Sequence, residues 1–226
     1  MRIPINKIKD SPLFDGISEN ELVTLMTCLK PVFRQYDRES VILNAGEHTD
    51  KIGMVVSGKI QIVKEDFFGN RSILTEIEEK GLFAESFPFV RIKKLPVTVI
   101  SVTESEVMFI DHKAIITGCK TACGFHSKLI ENMLYIVTRK NLILNRKIEH
   151  ISERTTREKL LSYLSSQAQE EGSCEFYIPF DRQQLADYLC VERSAMSAEL
   201  SKLRKEGVLD YKKNRFKILA VTDKYQ

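Results

Sequence analysis

The sequence predicts an α+β chain in three parts: an N-terminal all-β unit, one long central helix, and a C-terminal helix-turn-helix carrying a β-hairpin wing. Three observations carry this. Apolar residues recur with period two in short segments between 32 and 112, separated by Gly, Asn and Asp. The stretch 123–150 has helical spacing, with no proline and no glycine after Gly124. Residues 181–206 read as a capped helix, a tight turn and a second helix. The corresponding segments are 1–122, 123–152 and 153–226.

Residues 7–29 look helical, with Leu22, Leu25, Met26 and Leu29 on one face. Strands are expected at 32–36, 40–43, 52–56, 59–64, 71–77, 97–102 and 107–111. Turns fall at Ala45-Gly46-Glu47, Ser57-Gly58-Lys59 and Phe68-Gly69-Asn70. Many short strands at regular spacing suggest a β-sandwich, a jelly roll or a barrel. In the central helix Ile130, Val137, Leu144 and Ile151 recur every seven residues, with Met133, Leu134 and Ile148 beside them. That seam predicts a homodimer through the central helix. Lys140 and Lys147 interrupt it, so the helix is expected to share its faces between a partner and its own β unit. A polar hinge at 152–157, a helix at 157–169 and a strand at 175–179 follow.

Composition sets bounds. The chain has 226 residues and a formal net charge of +3. No run approaches the ~18 apolar residues of a membrane span, and the start lacks a secretory core, so a cytoplasmic protein with no membrane partner is expected. The five cysteines, Cys28, Cys119, Cys123, Cys174 and Cys190, are odd in number and scattered, against a disulfide framework. Cys119 and Cys123 share a helix face if helical, which leaves a redox role open. No metal or cofactor cluster and no nucleophile–base pair stands out, so no catalytic residue, metal ligand or cofactor is assigned.

The C-terminal motif carries the chemistry. Asp181 with Gln184 three residues on is a capping box. Leu185, Ala186 and Leu189 make an apolar face, and Cys190-Val191-Glu192 the turn. In the second helix Ala195, Met196, Leu200 and Leu203 are expected inside, leaving Arg193, Ser194 and Ser197 outward on the turns that meet base edges. Arg193 suits guanine or phosphate, whereas serine hydroxyls discriminate weakly. From 202 to 217 lie Lys202, Arg204, Lys205, Lys212, Lys213, Arg215 and Lys217 against Glu206 and Asp210, a local balance of +5. A hairpin turning at Lys212-Lys213-Asn214 puts Lys212, Lys213 and Arg215 where phosphates would lie. Arg182 and Gln183 at the first helix start complete the expected contacts. The expected partner is double-stranded DNA with a palindromic site.

The whole chain resembles the Crp/Fnr family of bacterial transcription regulators. The likeness rests on Pro12-Leu13-Phe14, Gly46-Glu47 followed by Val55-Val56-Ser57-Gly58-Lys59-Ile60, Gly81-Leu82-Phe83-Ala84-Glu85, the long helix, Thr155-Thr156-Arg157, and residues 180–204. It implies an N-terminal double-stranded β-helix (jelly roll), a central dimerisation helix and a C-terminal winged helix-turn-helix. It also implies a small-molecule effector, with RNA polymerase as a candidate partner.

The departures from the family pattern restrict that effector. Glu85 matches the ribose-binding Glu of cyclic-AMP-binding members, but Ala84 replaces the Gly. The phosphate-gripping Arg is missing near Leu95-Pro96, with only Lys93 and Lys94 close by. Leu142 and Ile143 stand where a polar pair meets the base. The resemblance therefore points away from cyclic AMP. No cysteine cluster precedes Cys28, and His48, His112, His126 and His150 match no haem ligand. The effector is expected near Phe83, Glu85, Ser86, Val97 and Thr98, against Arg139, Leu142 and Ile143. In the recognition helix Ser194 and Ala198 replace the family's Glu and second Arg, so the half-site should differ from the usual one. Two alternatives stand beside this reading: a DNA-binding dimer whose β unit senses nothing, and a cupin-type metal enzyme, which needs clustered His and Glu.

Overall fold

The computed structural model describes residues 4–68, 71–90, 92–117 and 124–219. The chain divides into two compact units, Met1–Arg139 and Lys140–Gln226. Among the described residues no helix is long and apolar enough to cross a membrane. Cys28, Cys174 and Cys190 are free thiols; Cys119 and Cys123 lie outside the described residues.

The first unit opens with α1 (Ile5–Ile8), a 3-10 turn (Pro12–Phe14) and α2 (Glu19–Leu29). The single helix expected over 7–29 is thus broken. Pro12 starts the 3-10 turn, and Gly16 takes a φ of +69° before α2 begins. A Ser18–Glu21 capping box starts α2, with Ser18 N–H donating to Glu21 Oε2 at 2.9 Å.

Eight strands follow: β1 (Val32–Tyr36), β2 (Val41–Leu43), β3 (Lys51–Ser57), β4 (Ile60–Glu65), β5 (Arg71–Ile77), β6 (Leu82–Phe83), β7 (Thr98–Ser101) and β8 (Ser105–Asp111). They form two antiparallel sheets, ordered β1-β8-β3-β6 and β2-β7-β4-β5. Ile42, Val55, Ile60, Phe83, Val99, Val107 and Phe109 fill the space between the sheets. Met54, Val56, Met108 and Ile110 point the other way, onto α1, α2 and the first half of the central helix. The sheet holding β3 is therefore covered on both faces. That is why Ile52 to Val56 are buried in an unbroken run rather than alternating.

The two-residue strand β6 and α3 (His112–Ile116) were not expected from periodicity; both are too short to show one. Two backbone positions shape the roll here. Gly53 pairs with Phe83 across the sheet, and the Phe83 ring lies where a Gly53 Cβ would stand. Ala84 adopts a φ of +57°, a left-handed conformation that favours glycine.

The central helix α4 (Gly124–Ser152) runs unbroken for 29 residues. The second unit continues with α5 (Thr156–Glu171), β9 (Glu175–Tyr177), α6 (Arg182–Leu189), α7 (Arg193–Lys205), β10 (Leu209–Lys212) and β11 (Arg215–Ile218). Thr155 and Glu158 form the capping box of α5, and Gly172 ends it at a φ of +61°. The three strands pair in the order β10-β11-β9. Leu160, Tyr163, Leu164, Phe176, Leu185, Met196, Leu200 and Phe216 form the core of this unit.

His150, near the end of α4, is buried in this second unit. Its Nδ1 lies 3.0 Å from Ser162 Oγ, and its ring meets Tyr163 edge-on at 5.6 Å. Burial pushes its pKa below the ordinary 6.5, helped by Arg146 and opposed by Glu149 and Glu170. A histidine held neutral in the fold protonates more readily once unfolded. The stability it contributes is present above about 6.5 and is lost as pH falls from there towards the folded-state pKa. Urea unfolding from pH 7.5 to 5.5 should show a falling midpoint, with a slope of at most ~1.4 kcal/mol per pH unit from this group. His150→Phe should flatten that slope; an unchanged slope would reject the assignment.

Candidate nucleic-acid interface

Three elements of the second unit carry the expected contact residues: α6, α7 and the β10–β11 hairpin. α6 begins with the expected capping box: Asp181 Oδ1 accepts from Gln184 N–H at 2.8 Å, and Asp181 N–H donates to Gln184 Oε1 at 2.9 Å. Leu185, Ala186 and Leu189 are fully buried. Cys190 closes the helix at a φ of +53°, its N–H donating to the Ala186 and Asp187 carbonyls. Val191 packs partly buried against the same core.

α7 then starts at Arg193. Met196, Leu200 and Leu203 form its buried stripe. Ala195, expected inside, is exposed: it lies one residue, about 100°, round the helix from Met196. Arg193 and Ser194 are exposed and Ser197 is half-buried, so the three expected base-reading residues share the outer side of the first two turns. Ser201 Oγ donates to the Ser197 carbonyl at 2.9 Å, leaving the Ser197 hydroxyl outside that bond.

Arg157 of α5 ties α7 down. Its Nη1 lies 3.2 Å from Glu199 and its Nη2 2.5 Å from Glu206. The hydrogen bond from Arg157 holds the Glu206 carboxyl below the usual range. Lys202 also reaches Glu199, at 3.4 Å, and Arg204 pairs with Asp210 at 2.8 Å. Sequence reasoning missed this role of Arg157. Its partners lie 42 and 49 residues away, so only folding brings them together. Such partly exposed pairs orient α7 more than they stabilise it.

The wing is the β10–β11 hairpin, turning at Lys213 (φ +55°) and Asn214. Lys212 and Lys213 are exposed at its tip. Arg215 pairs with Glu175 of β9, which Lys217 also approaches at 3.8 Å. Arg182 packs inward: its guanidinium lies 4.8 Å from the Tyr211 ring centroid and 5.0 Å from that of Phe216. It joins α6 to the wing through cation–π contact, and burial lowers its pKa. Gln183 is exposed and donates to Asp187 at 2.9 Å. Among the described residues no carboxylate lies within ion-pair distance of Arg193, Lys205, Lys212 or Lys213. These cations keep their charge available for an outside anion.

The expected effector residues are placed as follows. Phe83 is fully buried, edge-on to Phe109 at 6.0 Å. Glu85 and Val97 are buried and Ser86 is exposed. Thr98 Oγ1 accepts from Ala45 N–H at 3.1 Å. Leu95 is bound at both ends: its N–H donates to the Glu47 carbonyl, and its own carbonyl accepts from Gly46 N–H, both at 2.8 Å. On α4, Arg139, Leu142 and Ile143 are all exposed. Among the described residues no three His, Cys, Asp or Glu side chains stand together as a metal site would need.

Comparison with known proteins agrees with this fold. Residues 33–121 match the cyclic nucleotide-binding domain and residues 158–223 the Crp-like helix-turn-helix domain, together more than half of the chain. A curated relative, potassium channel AKT2 of Oryza sativa subsp. japonica, is 27% identical over 78 residues. That match spans 34% of this chain and 9% of the channel, within its length only a small part. Among solved structures, CprK complexed with OCPA is similar at 16% identity and a TM-score of 0.63, over 88% of this chain and 89% of that one. The c-di-GMP responsive global regulator CLP of Xanthomonas campestris is similar at 15% identity and a TM-score of 0.53, over 88% of this chain and 100% of that one. The protein is a DNA-binding regulator rather than an enzyme. With a cyclic-nucleotide-binding fold in front and a Crp-like helix-turn-helix behind, the chain belongs to the Crp/Fnr family of transcription regulators.

Proposed function

We propose that this protein works as a cytoplasmic homodimer that binds a palindromic operator and responds to a small molecule other than cyclic AMP. The observation that carries the DNA part is the outer side of α7. Arg193, Ser194 and Ser197 lie together there, and Lys205, Lys212 and Lys213 are exposed at the end of α7 and on the wing of the same unit. Arg193, Ser194 and Ser197 read base edges, while Lys202, Lys212 and Lys213 meet phosphates. Arg182, Gln183 and Arg215 act at one remove, because their side chains are engaged with the wing, α6 and β9 respectively. Functionally the chain divides into a sensing segment 1–122, a dimerisation segment 123–152 and a DNA-binding segment 153–226.

The effector part rests on the bonded-down Leu95 segment and on the apolar Leu142 and Ile143, neither suited to grip a cyclic phosphate or a base. Relatives of this fold take other ligands: one is named as a complex with OCPA and another as responsive to c-di-GMP. The effector then shifts the protein between two states by binding one of them more tightly. RNA polymerase is a further candidate partner. A second reading, a dimer whose roll senses nothing, draws on Phe83, which already fills the interior between the sheets.

In vitro selection of bound duplexes, with and without a metabolite panel, tests all of this. An enriched inverted repeat whose recovery depends on a metabolite supports the proposal. Enrichment indifferent to every metabolite favours the second reading, and no enrichment rejects sequence-specific binding. An effector response that survives both Glu85→Ala and Leu142→Ala would move the pocket elsewhere. On the selected site, Lys213→Ala should weaken specific and non-specific binding alike. It should also reduce the slope of log K against log salt by about 0.9, the share of one phosphate contact.

A further inference from the structure

α4 carries two apolar stripes. Leu129 and Met133 are buried in the core of the first unit, with Phe125 and Ile136 beside them. One residue round the helix runs a second stripe: Ile130, Leu134, Val137, Asn141, Leu144, Ile148 and Ile151. Its spacing alternates four and three along its length, which is the a/d pattern of a coiled-coil seam. Ile130, Leu134, Leu144 and Ile148 are 40%, 66%, 59% and 55% exposed. Asn141 sits at the centre of this seam, at an a position. The seven-residue spacing Ile130, Val137, Leu144, Ile151 supplies one track of the seam. The other is Leu134, Asn141, Ile148, and not Met133, Lys140, Lys147.

Resting on the homodimer reading above, we infer that Asn141 fixes a parallel, in-register pairing of two α4 helices. The charges beside the seam support self-pairing in that direction. Lys140 and Lys147 occupy g positions, while Thr138, Asn145 and Ser152 occupy the e positions. In a parallel in-register pair each g side chain faces the e position five residues on in the other copy. Lys140 then faces Asn145, and Lys147 faces Ser152, with no like-charge contact. In an antiparallel pair g positions face each other, so lysine meets lysine. There Asn141 would lie against Leu144 or Val137, with its amide unpaired in an apolar seam. A slip of one heptad puts it against Leu134 or Ile148, at the same cost. Only the parallel, in-register pair sets Asn141 beside Asn141, where the two amides bond each other.

The local geometry is prepared for this. Asn145 Nδ2 donates to Asn141 Oδ1 at 2.9 Å along the same helix. That bond orients the Asn141 amide and leaves its NH2 to donate across the seam. A polar residue at a single a position selects register at a cost in stability. A fixed register presents the two DNA-binding segments as a symmetric pair, as a palindromic operator requires.

Asn141→Val separates the two effects. Sedimentation equilibrium should show the dimer tightening by on the order of tenfold, since a buried amide is replaced by an apolar group. Register is read by disulfide cross-linking of Leu134→Cys and Ile151→Cys chains whose five native cysteines are serine. With Asn141 present, Leu134→Cys should link to itself and not to Ile151→Cys. With Asn141→Val, the mixed product should appear as well. A wild-type chain that stays monomeric at every accessible concentration removes the dimer reading and this inference together. A wild-type dimer with Asn141→Val unchanged in affinity and in cross-links overturns this inference alone. If the cysteine-free chain does not fold, sedimentation of Asn141→Val in the native sequence decides: a dimer no tighter than the parent rejects the role.

Discussion

Gly53→Ala should destabilise the β-roll by about 2–3 kcal/mol, the cost of forcing a methyl group into a filled core. The added Cβ would stand 2.1 Å from Phe83 Cζ and within 2.5 Å of both Cε atoms. Phe83 has nowhere to go: it is fully buried and already set edge-on to Phe109. Backbone and ring must both shift, and β3 lies between two cores that would each feel it. Phe83→Leu removes the clashing end of the ring at its own cavity cost. The double substitution should therefore lose at least ~1 kcal/mol less than the sum of the two single ones. Urea unfolding of the four proteins measures this. Strict additivity would mean the two residues do not collide, and the steric account of Gly53 would fail.

Arg193→Ala should cost about 1–3 kcal/mol in binding to the selected operator, roughly 5- to 150-fold. Binding to a scrambled duplex should change far less. Arg193 opens α7, is exposed, and has no ion-pair partner among the described residues, so its removal disturbs no packing. The contrast with Lys213 matters. Lys213 stands at the tip of the wing and should act equally on all sequences, as a phosphate contact does. Fluorescence anisotropy against both duplexes, across a salt series, distinguishes the two roles. An equal loss on both duplexes for Arg193→Ala would make it a phosphate contact and leave base reading to Ser194 and Ser197.

Much of this interface was legible in the sequence because its signals are local. The Asp181–Gln184 capping box, the Met196–Leu200–Leu203 stripe and the Lys212-Lys213-Asn214 turn each span a few residues, and backbone hydrogen bonding acts over that range. The side-chain partners were not legible. Arg182, expected at the DNA surface, is held over two adjacent aromatic rings from residues about 30 positions later. Arg157 gave no local sign of bridging to Glu199 and Glu206. Contacts between distant residues depend on how elements pack, and no periodicity encodes them.

Short-range spacing was thus enough for the order of the three parts, the winged helix-turn-helix and the apolar seam on the central helix; it was not enough for β6, α3 or the break between α1 and α2. Which side of that helix is covered depends on packing between distant residues. Burial of Leu129 and Met133 assigns one stripe to the first unit and leaves Asn141 in the middle of the other. Two stripes one residue apart have nearly the same helical period, and burial is the only property that tells them apart.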